Sequence, residues 1–256
     1  AEPLLNRFAP TSLAATGTAV PDRKINLAGV ECLPAGAGIA LAPDGSMWVS
    51  SPCLQKIVHL SADMLSQSAD VTPDVTLAGV ESPHGLAFDK NGHLWVGDQG
   101  AARLRRYDAS HLPTNASNAD LSIEISHLAG TLSPGTLAFD ADGSLWFVDF
   151  GGNIIAKIAA ADLLGSGNKT VSPQVAITIG VLALLEGIAF DEGGGLWVAY
   201  SQGKFARLSP VQLTASTGAG MPTIPEVIIE STSVGYAGNV ALYPAPAFSP
   251  LYSRLP

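Results

Sequence analysis

Four tryptophans standing in one register constrain this chain more than any other feature. Trp48, Trp95, Trp146 and Trp197 are separated by 47, 51 and 51 residues, and each closes the same local phrase. Gly85 to Asp98 reads GLAFDKNGHLWVGD, and Gly38 to Ser51 reads GIALAPDGSMWVSS. Thr136 to Asp149 reads TLAFDADGSLWFVD, and Gly187 to Tyr200 reads GIAFDEGGGLWVAY. Two apolar runs of strand length flank Asp44-Gly45, Asn91-Gly92, Asp142-Gly143 or Gly193-Gly194. Such pairs suit a two-residue type I′ hairpin turn, whose central residues both need φ > 0. A phrase recurring at this period is one supersecondary unit copied along an array. The pattern predicts an all-β propeller.

Each hairpin supplies the two inner strands, a and b, of a blade. A second recurring pair follows it. Strand c reads Lys56 to Leu60, Arg103 to Tyr107, Ile155 to Ile158 and Lys204 to Leu208, and strand d reads Asp74 to Leu77, Ser122 to Ile125, Gln174 to Ile179 and Glu226 to Ile229. The c–d connections open with short helix-like stretches, Ser61 to Leu65 and Ala160 to Leu164, too short to stand as helices. Leu5 to Phe8 and Arg23 to Leu27 repeat the c–d pattern with no hairpin before them, while Gly238 to Tyr243 and Ala247-Phe248 resemble a missing a–b pair. An unpaired strand invites aggregation, so a ring sutured by both chain ends hides its join. The expectation is a single domain, 1–256: a five-bladed β-propeller of four-stranded antiparallel blades, with repeats near 31–79, 80–130, 131–181 and 182–230. The fifth blade combines 231–256 with 1–30, its N-terminal c–d strands pairing with the C-terminal a–b strands. Pro244 and Pro246 replace the turn glycine in its hairpin.

Composition fits. Charged residues make up 14% of the chain against 27 glycines and 18 prolines, as a turn-rich β fold requires. The net charge of −9 argues against a nucleic-acid or anionic-membrane partner, each of which calls for a basic footprint. The longest apolar run, Val175 to Leu185, is broken by Gly180 and falls short of the ~20 residues of a spanning helix. The opening Ala1-Glu2-Pro3, without an initiator methionine, predicts a mature chain whose signal peptide has been removed, hence a periplasmic or secreted protein.

Function is expected where the d–a and b–c connections ring the mouth of the axial channel, because loops there vary without disturbing the blades. Two sets of positions face that mouth. One precedes strand a: Ala37, His84, Gly135, Glu186 and Ala237. The other lies three residues past each tryptophan: Ser51, Asp98, Asp149 and Tyr200, with Leu251 as the fifth. His84 and Glu186 break the repeat with polar side chains that the fold does not require, which reads either as a ligand or catalytic role or as a solvated rim. Imidazole and carboxylates around a narrow mouth suit a divalent cation (calcium, magnesium or zinc) or a general base with an electrostatic partner. Asp98 and Asp149 have a second reading, bracing the b–c turn through backbone hydrogen bonds. His59, His93, His111 and His127 read as structural, and the tryptophans as blade-to-blade packing. Cys32, in a d–a connection, and Cys53, in the b–c connection of the same blade, suggest a disulfide; two buried thiols are the other reading.

The phrase GLAFDKNGHLWVGD and its copies resemble the NHL-type and gluconolactonase-like propellers, the superfamily that includes virginiamycin B lyase. The resemblance implies a propeller fold and, in gluconolactonase-like members, axial metal ligands just before the glycine that opens strand a. Pro83-His84-Gly85 and Leu185-Glu186-Gly187 occupy that position here, whereas Gly135 and Ala37 bring no side-chain ligand. The expected function is an exported propeller binding a small molecule or a metal at the mouth, in catalytic form a metal-assisted, lactonase-like hydrolase or a lyase. His84 and Glu186 would be its catalytic residues, and His84, Glu186, Asp98 and Asp149 its metal ligands. The alternative is a non-catalytic scaffold whose rim binds a protein or a glycan.

Overall fold

The computed structural model describes residues 4–9, 20–30, 37–126, 128, 132–180, 184–201, 203–217, 222–230, 238 and 240–241. The chain enters with β1 (Leu4–Arg7) and β2 (Arg23–Leu27), the c and d strands of the fifth blade. Blade one follows with β3 (Ile39–Leu41), β4 (Met47–Ser51) and β5 (Lys56–Leu60). A short strand β6 (Ala69–Val71) sits in its c–d connection, ahead of β7 (Val75–Leu77). Blade two holds β8 (Pro83–Phe88), β9 (Leu94–Asp98), β10 (Arg103–Tyr107) and β11 (Leu121–Ile125). Blade three holds β12 (Pro134–Phe139), β13 (Leu145–Asp149) and β14 (Ile154–Ile158), then β15 (Gly167–Val171) in the connection and β16 (Val175–Thr178). Blade four is β17 (Leu185–Phe190), β18 (Leu196–Tyr200), β19 (Lys204–Leu208) and β20 (Val227–Glu230). The architecture is a five-bladed β-propeller, as the repeats predict, and the four complete blades are antiparallel in the order a, b, c, d.

The helix-like stretches are 3-10 turns, Met64–Ser66 and Ala160–Leu163. No helix among the described residues is long and apolar enough to cross a membrane. The expected C-terminal a–b pair, and with it the suture to residues 1–30, lies outside the described residues, as do Ala237, Leu251 and His127.

The core lies between blades rather than within one. Trp95 meets Phe139 of the next blade edge to face at 6.2 Å, and Trp146 meets Phe190 at 5.9 Å, a geometry that adds to plain burial for aromatic pairs. The tryptophans therefore pack blade on blade. Toward the axis, strand a of one blade presses on strand a of the next. A Cβ on Gly38 would strike the carbonyl of His84, and one on Gly85 would strike that of Gly135, so only glycine permits the approach.

The a–b turns differ from the type I′ expectation. Positive φ falls only on the glycines, at 82° for Gly45, 81° for Gly92, 81° for Gly143 and 76° for Gly194, and not on Asp44, Asn91 or Asp142. Gly92 N–H donates to the Asp89 carbonyl at 3.0 Å, and Asp89 N–H to the His93 carbonyl at 3.0 Å. This is a three-residue loop ending in a left-handed glycine bulge. In blade two the side chain of the preceding aspartate fastens it: Asp89 Oδ1 accepts Asn91 N–H at 2.9 Å and His93 N–H at 3.1 Å. Asp140 and Asp191 do the same in blades three and four.

A further repeated device was not visible as a pattern. Among the described residues, four outer strands are met by the c–d connection of the next blade, two of them through a parallel strap: β2 pairs with β6, and β11 with β15. Single parallel bridges join Leu77 to Ala116 and Ile179 to Thr223 at the other two junctions. These straps cover strand edges that would otherwise be open for pairing with another chain.

Candidate functional site

At the mouth, the position three past each tryptophan is an aspartate in two blades, a serine in one and a tyrosine in one. Asp98 and Asp149 are fully buried. Asp98 Oδ1 accepts Ser82 N–H at 2.8 Å and Glu81 N–H at 3.0 Å, and Oδ2 accepts Arg105 Nε at 2.6 Å. Asp149 accepts Ser133 N–H at 2.7 Å, Gly152 N–H at 3.1 Å and Gly151 N–H at 3.2 Å. Burial pushes the Asp149 carboxyl up, and the three N–H donors offset this only in part. Asp149 thus ties the segment before strand a to the b–c turn, the bracing role, whereas Asp98 ties that segment to Arg105 of β10. Ser51 is buried in the corresponding place of blade one. Tyr200 pairs with Leu185 in the register in which Asp98 pairs with Pro83 and Asp149 with Pro134. Its hydroxyl is buried with no hydrogen-bond partner among the described residues, and burial raises its pKa, so it stays a protonated donor.

His84, Gly135 and Glu186 begin strand a of blades two, three and four, so Gly135 stands between the other two around the axis. Backbone anchors hold them. The His84 carbonyl accepts Ser50 Oγ at 2.7 Å, and the Glu186 carbonyl accepts Thr136 Oγ1 at 2.7 Å. Both side chains are half-buried. The space that a side chain at Gly135 would fill belongs to the ring of Phe150, which a Cβ there would strike. Phe150 also meets His84 edge to face at 6.4 Å. The mouth therefore combines an imidazole, a phenyl face and a carboxylate.

The expected metal set does not assemble. Among the described residues no group of three or more His, Cys, Asp or Glu side chains is placed to hold a metal ion, although His84, Glu186, Asp98 and Asp149 are all described. Buried carboxylate oxygens already engaged by backbone N–H groups and Arg105 are poor ligands, since rebinding would orphan those donors. A phenyl ring stands where the third blade would place its donor. The four residues do not fit one coordination sphere.

Of the cysteine pair, Cys32 lies outside the described residues; Cys53 sits in a 3-10 turn of the b–c connection, Pro52–Leu54, and no described cysteine is a free thiol. Sequence reasoning missed Phe150, Ser50 and Thr136. Phe150 was within reach: one place past the Ser51/Asp98/Asp149/Tyr200 set, the other blades carry Pro52, Gln99 and Ser201, so an aromatic there breaks the pattern as His84 does.

This arrangement defines the class as a five-bladed β-propeller. The NHL repeat family model matches residues 81–107. Among solved structures the chain is similar to a catalytically inactive virginiamycin B lyase from Staphylococcus aureus with quinupristin. That match has 16% identity and a TM-score of 0.51, covering 79% of this chain and 58% of that one. It is also similar to Kuenenia stuttgartiensis hydrazine synthase, with 14% identity, a TM-score of 0.51, and coverage of 70% of this chain and 47% of that one. The chain thus spans about half the length of the structures it resembles, and the likeness is one of fold. No curated protein matches the chain.

Proposed function

We propose that the axial mouth binds a small organic molecule and that the protein is a hydrolase or lyase acting on a cyclic ester. The observation that carries this reading is the Phe150 ring seated over Gly135 and edge-on to His84, an apolar wall built beside an imidazole. Ligand sites pair such a wall with a few convergent polar groups. His84 serves as general base, taking a proton from water or substrate, and Glu186 orients the polar end of the ligand. Tyr200 is a further donor in the same ring of connections. No step requires a metal, because the donor set does not form a coordination sphere. The likeness of the repeats to gluconolactonase-like and virginiamycin B lyase propellers supports an ester-cleaving chemistry. Export to the periplasm or outside the cell belongs to the same proposal, with a Cys32–Cys53 bridge clamping the loop ahead of β3.

The test is turnover of a panel of five- and six-membered lactones, with and without calcium, magnesium, zinc or chelator. Turnover that survives chelator and falls at least 100-fold in His84→Ala supports the reading. Absence of both turnover and thermal shift across the panel overturns it. The second reading, a non-catalytic scaffold, draws on β20, where Val227, Ile228 and Ile229 are 37%, 41% and 47% exposed on an outer strand. Apolar exposure of that kind marks protein contact. A bound protein partner lost on Ile228→Lys, with His84→Ala silent, favours it instead.

A further inference from the structure

On the opposite face, between blades three and four, lies a cavity of about 390 Å³ lined by Asp140, Asp142, Trp146, Lys157, Gln174 and Leu213, among others. The preceding junction, between blades two and three, shows how that space arises. There Arg106 reaches across the junction, its Nη1 donating to the Leu163 carbonyl at 2.9 Å and its Nη2 to the Gly165 carbonyl at 2.8 Å. The same guanidinium stands 5.8 Å from the centre of the Trp95 ring, and Lys90 extends toward Gly143 of the next blade. In the repeat that follows, Ala141 replaces Lys90 and the shorter Lys157 replaces Arg106. Lys157 pairs with Asp140 at 2.9 Å rather than spanning the junction. Leu213 and Thr214 stand where Leu163 and Leu164 stand in the earlier junction, and neutral Gln174 replaces Asp120. One cationic arm is lost from this junction and the other no longer spans it, and a cavity takes their place.

We propose that this cavity is a binding site for a guanidinium carried on a short alkyl chain, occupying the space that Arg106 fills in the neighbouring junction. The lining suits that class. It holds two carboxylates against one ammonium, the wall of Phe190 and Pro210 for the alkyl chain, and the c–d connection whose counterpart accepts both Arg106 Nη groups. A planar fork makes paired bonds to such carbonyls that a spherical ammonium does not. The chain's net charge of −9 favours approach of a cation. The site is separate from the mouth and does not depend on the function proposed there.

Agmatine is the probe, titrated into the full chain by calorimetry, with butylamine as the ammonium control and a capped Gly-Arg-Gly peptide as the protein-borne source. Wild type is expected to bind agmatine at least tenfold more tightly than butylamine. Ala141→Lys restores the lost arm and Lys157→Arg restores the fork, so each is expected to weaken agmatine binding at least tenfold without lowering Tm. His84→Ala with Glu186→Ala is expected to leave agmatine affinity unchanged, which separates this site from the mouth. Peptide binding equal to that of agmatine assigns the site to arginine side chains of a partner, and binding of agmatine alone assigns it to a free small cation. No agmatine binding by wild type, equal affinity for butylamine, or binding unchanged in both Ala141→Lys and Lys157→Arg overturns the proposal.

Discussion

At the rim formed by the a–b turns, blades two, three and four repeat one constellation. Asp89, Asp140 and Asp191 each accept the indole N–H of their own tryptophan, at 3.0, 3.0 and 3.1 Å, while the other oxygen holds the turn. A basic side chain pairs across from each tryptophan on strand c: Arg106, Lys157 and Arg207. At the mouth, the same three blades diverge, with Asp98, Asp149 and Tyr200 in one position and His84, Gly135 and Glu186 in the other. What repeats on one rim satisfies the backbone and indole groups that every blade buries. What departs on the other rim is released from that duty. Asp98 and Asp149 show that the division is not absolute, because a mouth residue that recurs is also structural.

The sharpest way to break the comparison is to remove a recurring mouth residue. Asp98→Ala leaves Arg105, 17% exposed, without its carboxylate and removes the acceptor of two part-buried N–H donors. The expected loss is about 3 kcal/mol of unfolding free energy in urea, larger than for any turn-rim change. Asp140→Ala, which frees the Trp146 indole N–H and the Lys157 ammonium, is expected to cost about 2 kcal/mol.

Acid titration separates the rims by sign. Burial pushes Asp191 up, but Arg207, the Gly195 N–H and the Trp197 indole outweigh it and hold the carboxyl below 3.8. Its stabilisation is present above that value and disappears as pH falls through the folded pKa. The raised carboxyl of Asp149 contributes in the opposite sense: its favourable share is complete below 3.8 and is lost as pH rises through the folded pKa. The penalty of Asp191→Asn is therefore expected to shrink between pH 7 and pH 3, and that of Asp149→Asn to grow, in urea melts at both pH values. Parallel slopes would erase the distinction.

Blade one offers the smallest effect. Ala42 stands where the other blades have aspartate, yet its backbone makes the same turn, with Ala42 N–H donating to the Ser46 carbonyl at 2.9 Å and Gly45 N–H to the Ala42 carbonyl at 3.0 Å. Trp48 there packs on His59 at 4.7 Å instead. Ala42→Asp is expected to raise stability by about 0.5 kcal/mol, seen as a higher Tm.

Much of the wheel was legible because its signals are local. Strand alternation, turn glycines and the tryptophan register sit within 14 residues of one another in each copy. The turn type differs from expectation because an Asn91-Gly92 pair suits a three-residue loop closing on a left-handed glycine as well as a two-residue turn; the Asp89 side chain fastens that loop, and Ala42 makes it without one. The straps were missed for a different reason. Gly167 to Val171 reads GNKTV, a polar segment without period-two apolar spacing, and its partner β11 belongs to the preceding blade. At the mouth, breaks in the repeat pointed to His84 and Glu186, but residue type alone does not tell a free carboxylate from one saturated by backbone N–H groups. That is why Asp98 and Asp149 carried two readings. Phe150 breaks its repeat position as His84 does, but its place in the room left by Gly135 is a contact between distant residues that no local pattern gives.

The division between rims is tested most directly by measuring lactone turnover and Tm together in wild type, His84→Ala and Asp89→Ala. The account predicts that His84→Ala abolishes turnover with Tm within about 2 °C of wild type, a shift of under 1 kcal/mol, while Asp89→Ala lowers Tm by several degrees and retains turnover at temperatures where it remains folded. Turnover untouched by His84→Ala, or a collapse of Tm in that variant, would contradict it.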